Sequence, residues 1–221
     1  MTLTDYLPVY KIRLRTERLE LRLPDFADMA ALADEAAAGI HGPEFMPFVV
    51  PWTETSPQQR GRDTILWNLR VLAACTPQHW TLPFVTLLDG EVVGKQEVGA
   101  KDFKATREAT TGSWLGIAHH GKGIGTEMRA AVLHFLFEGL GADYALSDSL
   151  DGNGPSEGVS RRLGYRADGI DHQVLKGERV ISRRWRLSRE DWEANRKHEV
   201  AIEGLDEDVL AMLGLAEGAE K

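Results

Sequence analysis

The sequence predicts a mixed α+β domain with a mostly antiparallel central sheet and one parallel strand pair. Two turns, Asp89-Gly90 and Lys176-Gly177, each separate a pair of strand-like segments, which is typical of antiparallel hairpins. A helical segment separates a strand that ends at Ile117 from a strand at 143–148, so these two strands are predicted to be parallel. With 221 residues, the chain is long enough for one domain with a sizeable core.

Elements of the first half follow from side-chain spacing and from capping residues. Leucines alternate with charged residues across 19–23, which predicts a half-buried strand. Asp25 can cap a helix that ends at Gly39, and Ser56 can cap a second helix that runs to Ala74. The first helix is expected to bury Phe26, Met29, Ala30, Leu32 and Ala33. The second is expected to bury Ile65, Leu66, Leu69 and Leu72.

The second half predicts the rest of the sheet and several more helices. We expect strands at 80–88, 91–98, 109–117, 143–148, 165–173 and 178–187. We expect helices at 124–138, at 155–164, after the capping residue Ser188, and at 205–213.

Composition and charge restrict the classes of function. The net charge is −8, and no basic stretch suggests nucleic-acid binding. Seven acidic residues lie at 199–221 against one lysine, so we interpret this end as a solvated appendage. No apolar run approaches the ~18 residues of a membrane span, and no secretory signal is expected. Cys75 is the only cysteine and no Cys/His spacing fits zinc, so we expect a cytoplasmic location and no metal.

A glycine-rich turn between a strand and a helix is the most informative stretch. Gly121, Gly123 and Gly125 lack side chains, so their backbone N–H groups can approach a ligand closely. The helix N-terminus that follows adds N–H donors and partial positive charge, which favours phosphate. A Walker A loop would need Ser or Thr at Gly123, and a dinucleotide fingerprint would need glycine at Thr126. A turn that only lets the helix pack on the sheet stays an alternative.

Two motifs resemble one known family. The segment His120-Gly121-Lys122-Gly123-Ile124-Gly125 resembles the acyl-CoA pyrophosphate loop of the GNAT N-acyltransferases, Q/R-x-x-G-x-G/A, with His120 in the Gln/Arg position. A second block, Asn153-Gly154-Pro155-Ser156 and then Arg162-Leu163-Gly164-Tyr165, is similar to segments of the RimJ/RimL-like branch. Some actinobacterial succinyltransferases have a loop similar to Gly123–Met128. The resemblance covers roughly residues 15–187.

The resemblance implies a fold and a co-substrate. It implies the GNAT fold across residues 1–187, with a splayed parallel strand pair and helices on both faces, and a helical, acidic extension at 188–221. Acetyl-CoA or succinyl-CoA would bind with its pyrophosphate at the glycine loop and its pantetheine arm between the splayed strands. The residues implied for this binding are Leu115, Gly116, Ile117, His120, Gly121, Lys122, Gly123, Ile124, Gly125, Thr126, Asn153 and Ser156.

Candidate catalytic residues follow from the same resemblance. An amine acceptor has a pKa near ~10, so a general base assists transfer at neutral pH. Glu97 lies where several GNAT enzymes place a carboxylate, Asp148 is its rival, and a water chain without a single base stays open. Ser156 is implied to donate to the leaving thiolate, although it could instead only cap the following helix. Asn153 would contact pantetheine or orient Ser156.

The proline-rich segment 40–57 carries large apolar side chains. Phe45, Phe48 and Trp52 either plug the edge of the core or wall an acceptor pocket, and the resemblance favours the pocket. The expected acceptor is a primary amine of a small molecule or peptide, with no nucleic acid or membrane as partner and with a homodimer left open. A non-catalytic regulatory protein that binds acyl-CoA is the alternative function.

Overall fold

A computed structural model describes residues 1–216 and contains a single large sheet. Its strands are β1 (Arg13–Arg15), β2 (Leu19–Arg22), β3 (His79–Leu88), β4 (Glu91–Lys101), β5 (Glu108–Leu115), β6 (Tyr144–Leu150), β7 (Arg166–Leu175), β8 (Glu178–Ser188) and β9 (Ala201–Glu203). Its helices are α1 (Leu3–Tyr6), α2 (Phe26–Ala38), α3 (Pro57–Ala73), α4 (Phe103–Thr106), α5 (Ile124–His134), α6 (Gly154–Arg162), α7 (Arg189–Asn195) and α8 (Glu207–Met212).

The strand order confirms the predicted fold class. Across the sheet the order is β7-β8-β6-β5-β4-β3-β2-β1-β9. Neighbouring strands are antiparallel except β5 and β6, which are parallel because α5 connects them. The Asp89-Gly90 turn has positive φ at both residues, as a two-residue hairpin requires.

Helices cover both faces of the sheet, as predicted. On one face α5 contributes Met128 and Val132 to the main core, which also contains Phe84 of β3. On the other face α2 contributes Leu32 and Ala36 to a second cluster. Asp25 caps α2 by accepting from the Asp28 N–H, and Gly39 ends the helix with positive φ.

The predicted buried face of α3 is wrong. Leu66 is 48% exposed and Leu69 is 39% exposed, while Thr64 and Asn68 are buried. The reason is close packing of α3 on α2, where a Cβ at Gly61 would lie 3.2 Å from the Ala33 carbonyl oxygen. The Thr64 hydroxyl and the Asn68 amide N–H donate to carbonyls one turn earlier, which offsets part of the cost of burial, while Asn68 Oδ1 has no partner within residues 1–216. In α2, Phe26 and Ala30 were likewise expected inside but are exposed.

The segment after Leu187 packs on the same sheet. β9 pairs antiparallel with β1, which sequence periodicity did not indicate. Val209 and Leu213, at 0% and 1% exposure, belong to the main core. Glu217 and Glu220 of the predicted acidic extension lie outside the described residues. No helix within 1–216 combines the length and apolar character that crossing a membrane requires.

Candidate functional site

The parallel strands β5 and β6 separate after a short paired stretch. Their ladder joins Glu108–Thr110 to Tyr144–Leu146 and ends there. Beyond this point β5 stays paired with β4 as far as Leu115, and β6 stays paired with β8 as far as Leu150. A V-shaped split therefore opens between β5 and β6 towards their C-terminal ends.

Backbone groups of β5 face this split at alternate residues. The Gly116 N–H donates to the Val93 carbonyl on β4 over 3.0 Å, and the Ile117 N–H donates to the Gly39 carbonyl over 2.9 Å. Strand alternation then directs the N–H and C=O groups of Ser113 and Leu115 away from β4, towards the split. Of the residues expected to supply amides to a ligand, Leu115 is the one whose backbone groups face this space.

The two histidines after β5 have separate partners. His120 Nε2 lies 3.1 Å from the Leu115 carbonyl oxygen, so the imidazole bonds to an acceptor at the mouth of the split. His119 Nε2 lies 3.4 Å from a carboxylate oxygen of Glu35 on α2. The same carboxylate occupies the space where a Cβ at Gly116 would lie, so a side chain there would displace Glu35 from His119.

The glycine loop exposes backbone donors at the start of α5. Gly121 and Gly123 have φ of 74° and 80°, a left-handed conformation that favours glycine. Thr126 and Glu127 are the first α5 residues whose N–H groups bond back along the chain, both to the Gly123 carbonyl. The preceding N–H groups have no intrahelical acceptor and point out of the helix end.

Gly125 brings the loop, β5 and α6 together. A Cβ at this position would lie 3.7 Å from Leu115 Cδ1 and 3.8 Å from Val159 Cγ2. The glycine loop and the α6 segment, which the sequence analysis identified separately, therefore meet at the open end of the split.

Arg18 adds a cation beside the loop that sequence analysis missed. Its guanidinium Nη2 would lie 3.7 Å from a Cβ at Gly123, and Nη1 lies 3.4 Å from the Lys122 carbonyl oxygen. Glu127 holds it through an Nε–Oε2 bond of 2.8 Å. Burial acts to raise the pKa of Glu127, but hydrogen bonds from Thr16 and Arg18 outweigh it and lower the pKa. No local pattern links Arg18 to residue 123, because their contact depends on the tertiary fold.

A buried arginine lies beneath the split. Arg129 of α5 is 4% exposed, and it donates to Ser113 Oγ over 3.0 Å. It also donates to Ser147 Oγ and Ser160 Oγ, each over 3.3 Å. Burial lowers the pKa of Arg129 and raises the pKa of the neighbouring Tyr165 phenol. No local pattern in the sequence indicates a role for Arg129, because an arginine in an amphipathic helix is normally solvated.

Asn153, not Ser156, caps α6. The Asn153 Oδ1 accepts from the Ser156 N–H over 3.3 Å. Ser156 lies in the first turn of α6 and is half-buried. Its hydroxyl is therefore not used for capping, and Asn153 fixes the backbone that carries it.

Glu97 lies in a polar cluster on the α3 side of the sheet. One carboxylate oxygen, Oε1, accepts from Lys95 Nζ over 2.7 Å and from Trp67 Nε1 over 2.5 Å. Lys95 is 5% exposed, and burial lowers its pKa in spite of the neighbouring carboxylate. Glu97 is thus an ion-paired group that keeps its second oxygen for another partner.

Asp148 shares that face of the sheet with Glu97. The register pairs Glu97 with Gly112 and pairs Thr110 with Leu146, so alternation places Asp148 on the same side as these residues. Asp148 is exposed and accepts from the Ser182 hydroxyl over 3.3 Å. A Cβ at Gly112 would meet nothing within 4 Å. The surface over Gly112, between the two carboxylates, is consequently open.

The proline-rich segment packs on the side of the sheet that carries Trp114. The Phe48 and Trp52 rings lie 5.4 Å apart, and Trp52 lies 6.1 Å from the buried Trp114 ring of β5. Phe45 is 38% exposed and would lie 3.7 Å from a Cβ at Gly152, after β6. Phe48 and Trp52 thus cover the second cluster, while Phe45 faces the β6–α6 loop.

The described part of the chain contains no cluster of metal-binding side chains. Among residues 1–216, no group of at least three His, Cys, Asp or Glu side chains is arranged to hold a metal ion.

Comparison with known proteins agrees with this architecture. Residues 18–166 match the family model described as acetyltransferase (GNAT) domain. Mycobacterium smegmatis RimJ in complex with CoA-disulfide is 22% identical with a TM-score of 0.69, over 87% of this chain and 98% of that chain. RimL, a ribosomal L7/L12 alpha-N-protein acetyltransferase in complex with coenzyme A, is 18% identical with a TM-score of 0.61, over 78% and 95%. A Brucella melitensis GCN5-related N-acetyltransferase is 20% identical with a TM-score of 0.65, over 82% and 80%.

Proposed function

The chain belongs to the GNAT acetyltransferase family, and from this premise we propose that it transfers an acyl group from acyl-CoA to a primary amine by direct attack within a ternary complex. The observation that carries the proposal is the split between β5 and β6, which opens next to the exposed glycine loop at the start of α5. The split suits the extended, amide-rich pantetheine arm, and the start of α5 suits the diphosphate.

Donor binding is assigned to main-chain groups and two cations. The N–H groups of Gly121, Gly123 and Gly125 would donate to phosphate oxygens, supported by the dipole of α5. Arg18 and Lys122 would add positive charge beside them. The His120 imidazole is hydrogen-bonded to the Leu115 carbonyl oxygen. We therefore expect the pantetheine arm either to displace His120 from this carbonyl or to form its own hydrogen bond with the imidazole.

Polarisation of the thioester carbonyl is assigned to the backbone of β5. The N–H groups of Ser113 and Leu115 face the split and lie beyond the end of the β5–β6 ladder. A fixed N–H donor in a water-poor site stabilises the negative charge that develops on a carbonyl oxygen during acyl transfer. The N–H groups of Gly116 and Ile117 already have acceptors, so these two residues are not assigned as donors to the ligand. They only shape the backbone at the end of β5.

Proton transfer is assigned to opposite sides of the split. The amine would approach over Gly112, between Glu97 and Asp148, and one of these carboxylates or a water held by them would accept its proton. Ser156 at the start of α6 would donate a hydrogen bond to the departing thiolate. A CoA thiol has a pKa near ~8.5, so one donor suffices to help it leave.

Similar proteins restrict the range of candidate acceptors and acyl groups. RimL is named for acetylating the amino terminus of ribosomal L7/L12, which supports a peptide or protein amine as acceptor. Phe45, which faces the β6–α6 loop, would contact it. Acetyl is the expected acyl group and succinyl the alternative, while a cytoplasmic location and a homodimer stay predictions.

A thermal-shift panel with CoA, acetyl-CoA and succinyl-CoA tests this proposal. Ligands that bind the folded state raise its melting temperature according to their occupancy. We expect a shift with all three at millimolar concentration, and the largest shift with the true donor. Turnover is then measured by thiol release with peptide and small-molecule amines. No shift with any CoA species contradicts the proposal, and binding without release with any amine favours the regulatory alternative.

A further inference from the structure

Arg129 joins three elements at the point where β5 and β6 separate. Ser113 lies on β5, Ser147 on β6 and Ser160 on α6, and each hydroxyl oxygen accepts from this one guanidinium. Ser147 directly follows Leu146, where the β5–β6 ladder ends. The guanidinium thus connects the two strands through side chains that lie beyond their last backbone pairing, one residue on in β6 and three residues on in β5.

A buried arginine without an ion-pair partner is energetically unfavourable, and here the nearest carboxylate, Asp148, acts only through its longer-range charge. Arg129 forms no ion pair within residues 1–216, and its Nε has no hydrogen-bond partner there. Moving such a charge out of water costs several kcal/mol unless a carboxylate compensates it. A leucine or methionine would fill this position in the helix at lower cost, so stability alone does not account for the arginine.

The arginine also determines which way the hydroxyl groups point. Each serine oxygen uses a lone pair to accept from Arg129, so its own O–H proton is directed elsewhere. Ser147 and Ser160 are 6% and 0% exposed, whereas Ser113 is half-buried and borders the split. A hydroxyl that accepts from a cation becomes a stronger donor, and the carbonyl oxygens of an amide-rich arm are suitable acceptors.

We propose that Arg129 is a positioning residue that fixes the width of the β5–β6 split and directs the Ser113 hydroxyl into it as a donor for the acyl-CoA arm. This inference rests on the proposed function and assigns to it a residue that does not touch the reacting atoms. Arg129 acts on the ligand only through Ser113 and through the separation of β5 from β6.

The test measures CoA affinity by calorimetry and melting temperature for wild type, Arg129→Met, Arg129→Lys, Ser113→Ala and the Arg129→Met/Ser113→Ala double variant. Arg129→Met should weaken CoA binding by about tenfold, the scale of one charge-assisted hydrogen bond. Its melting temperature should stay within about 4 °C of wild type, since the removed charge has no ion-pair partner. Arg62→Met, at an exposed position on α3, is the matched control and should change neither quantity.

Two further comparisons separate positioning from general destabilisation. Arg129→Lys keeps a donor cation and should recover at least part of the lost affinity. Ser113→Ala should weaken binding several-fold in the wild-type background and have no further effect in Arg129→Met, because the serine is then no longer oriented. If Arg129→Met cannot be purified folded, Arg129→Lys and the Ser147→Ala variant provide the affinity series.

The outcomes distinguish this inference from the function on which it rests. Unchanged CoA affinity in Arg129→Met, or additive losses in the double variant, overturns the role of Arg129 and leaves the transferase proposal intact. Failure of wild type to bind CoA overturns both. A loss of affinity in strict proportion to a loss of melting temperature across the series also overturns positioning, since it marks a structural role alone.

Discussion

Arg18 and Glu127 form an ion pair, 2.8 Å from Nε to Oε2, that ties the β1–β2 turn to the first turn of α5. Thr16 donates to the other carboxylate oxygen over 2.6 Å. Glu127 is 3% exposed and lies directly below the exposed glycine loop. The pair therefore fixes the helix start at which we place the diphosphate.

This pair predicts a specific acid sensitivity. The pKa of Glu127 is lowered from 4.5 by its partners, so its contribution to stability is complete above about pH 4.5 and is lost as pH falls through the lowered folded pKa. Glu127→Gln should be less stable than wild type by roughly 2 kcal/mol at pH 7, and the difference should shrink below pH 4.5. Urea unfolding at several pH values measures it, and a difference independent of pH would refute the assignment.

Gly123→Asp is predicted to abolish CoA binding without unfolding the protein. A carboxylate at this position would lie against the diphosphate and would also attract Arg18, whose Nη2 is 3.7 Å from the Cβ site. Because φ is 80°, any side chain here is strained, so Gly123→Asn is the matched control for strain and volume. Calorimetry should give at least tenfold weaker binding for Asp than for Asn. Equal affinities in the two variants would mean that no anion binds there.

The sequence predicted those elements whose signals are local. Asp25 caps α2 and Gly39 ends it, because capping depends only on residues within one turn. The parallel pairing of β5 and β6 also followed, since a single helix connects them. The glycine loop was found for the same reason: left-handed φ and exposed N–H groups are properties of a short segment.

Features that depend on distant partners were not predicted. α3 buries Thr64 and Asn68 and exposes Leu66, because Gly61 allows close contact with α2 and this contact fixes the rotation of the helix. Arg18 and Arg129 lie 111 residues apart and come to the same site only through the fold. Neither residue has a local pattern that distinguishes it from a solvated arginine.

Gly112→Val is predicted to block the acceptor and spare the donor. A Cβ at Gly112 has no neighbour within 4 Å, so valine fits the strand while filling the open surface between Glu97 and Asp148. The Michaelis constant for the amine should rise about tenfold or more, the effect of roughly 1.4 kcal/mol, with CoA affinity unchanged. Thr110→Val on the same face controls for the added β-branched apolar surface. An unchanged constant for the amine places the acceptor elsewhere.

Steady-state pH profiles should identify the general base. If Glu97 accepts the proton, Glu97→Gln should lose about a hundredfold in turnover and lose the acidic limb of the profile, because a protonated base is inactive. Asp148→Asn, on the same face, should then keep the limb. Glu97→Gln also leaves the buried Lys95 without its anionic partner, so the Glu97→Gln/Lys95→Met variant is needed to separate catalysis from stability. Retention of the limb in both single variants indicates a water chain.

Ser156→Ala is predicted to lower turnover more than donor affinity. The Asn153 cap accepts from the Ser156 N–H, which alanine retains, so α6 should keep its start and its stability. Removing the hydroxyl takes away a donor that is used when the thiolate departs, and we expect turnover to fall about tenfold with CoA affinity within about twofold. Asn153→Ala serves as the control, since it should cost about 1 kcal/mol of stability by uncapping α6. Weaker CoA binding with unchanged turnover in Ser156→Ala would show that the serine only positions the arm, because losing an interaction made equally in the ground state and the transition state leaves turnover unchanged.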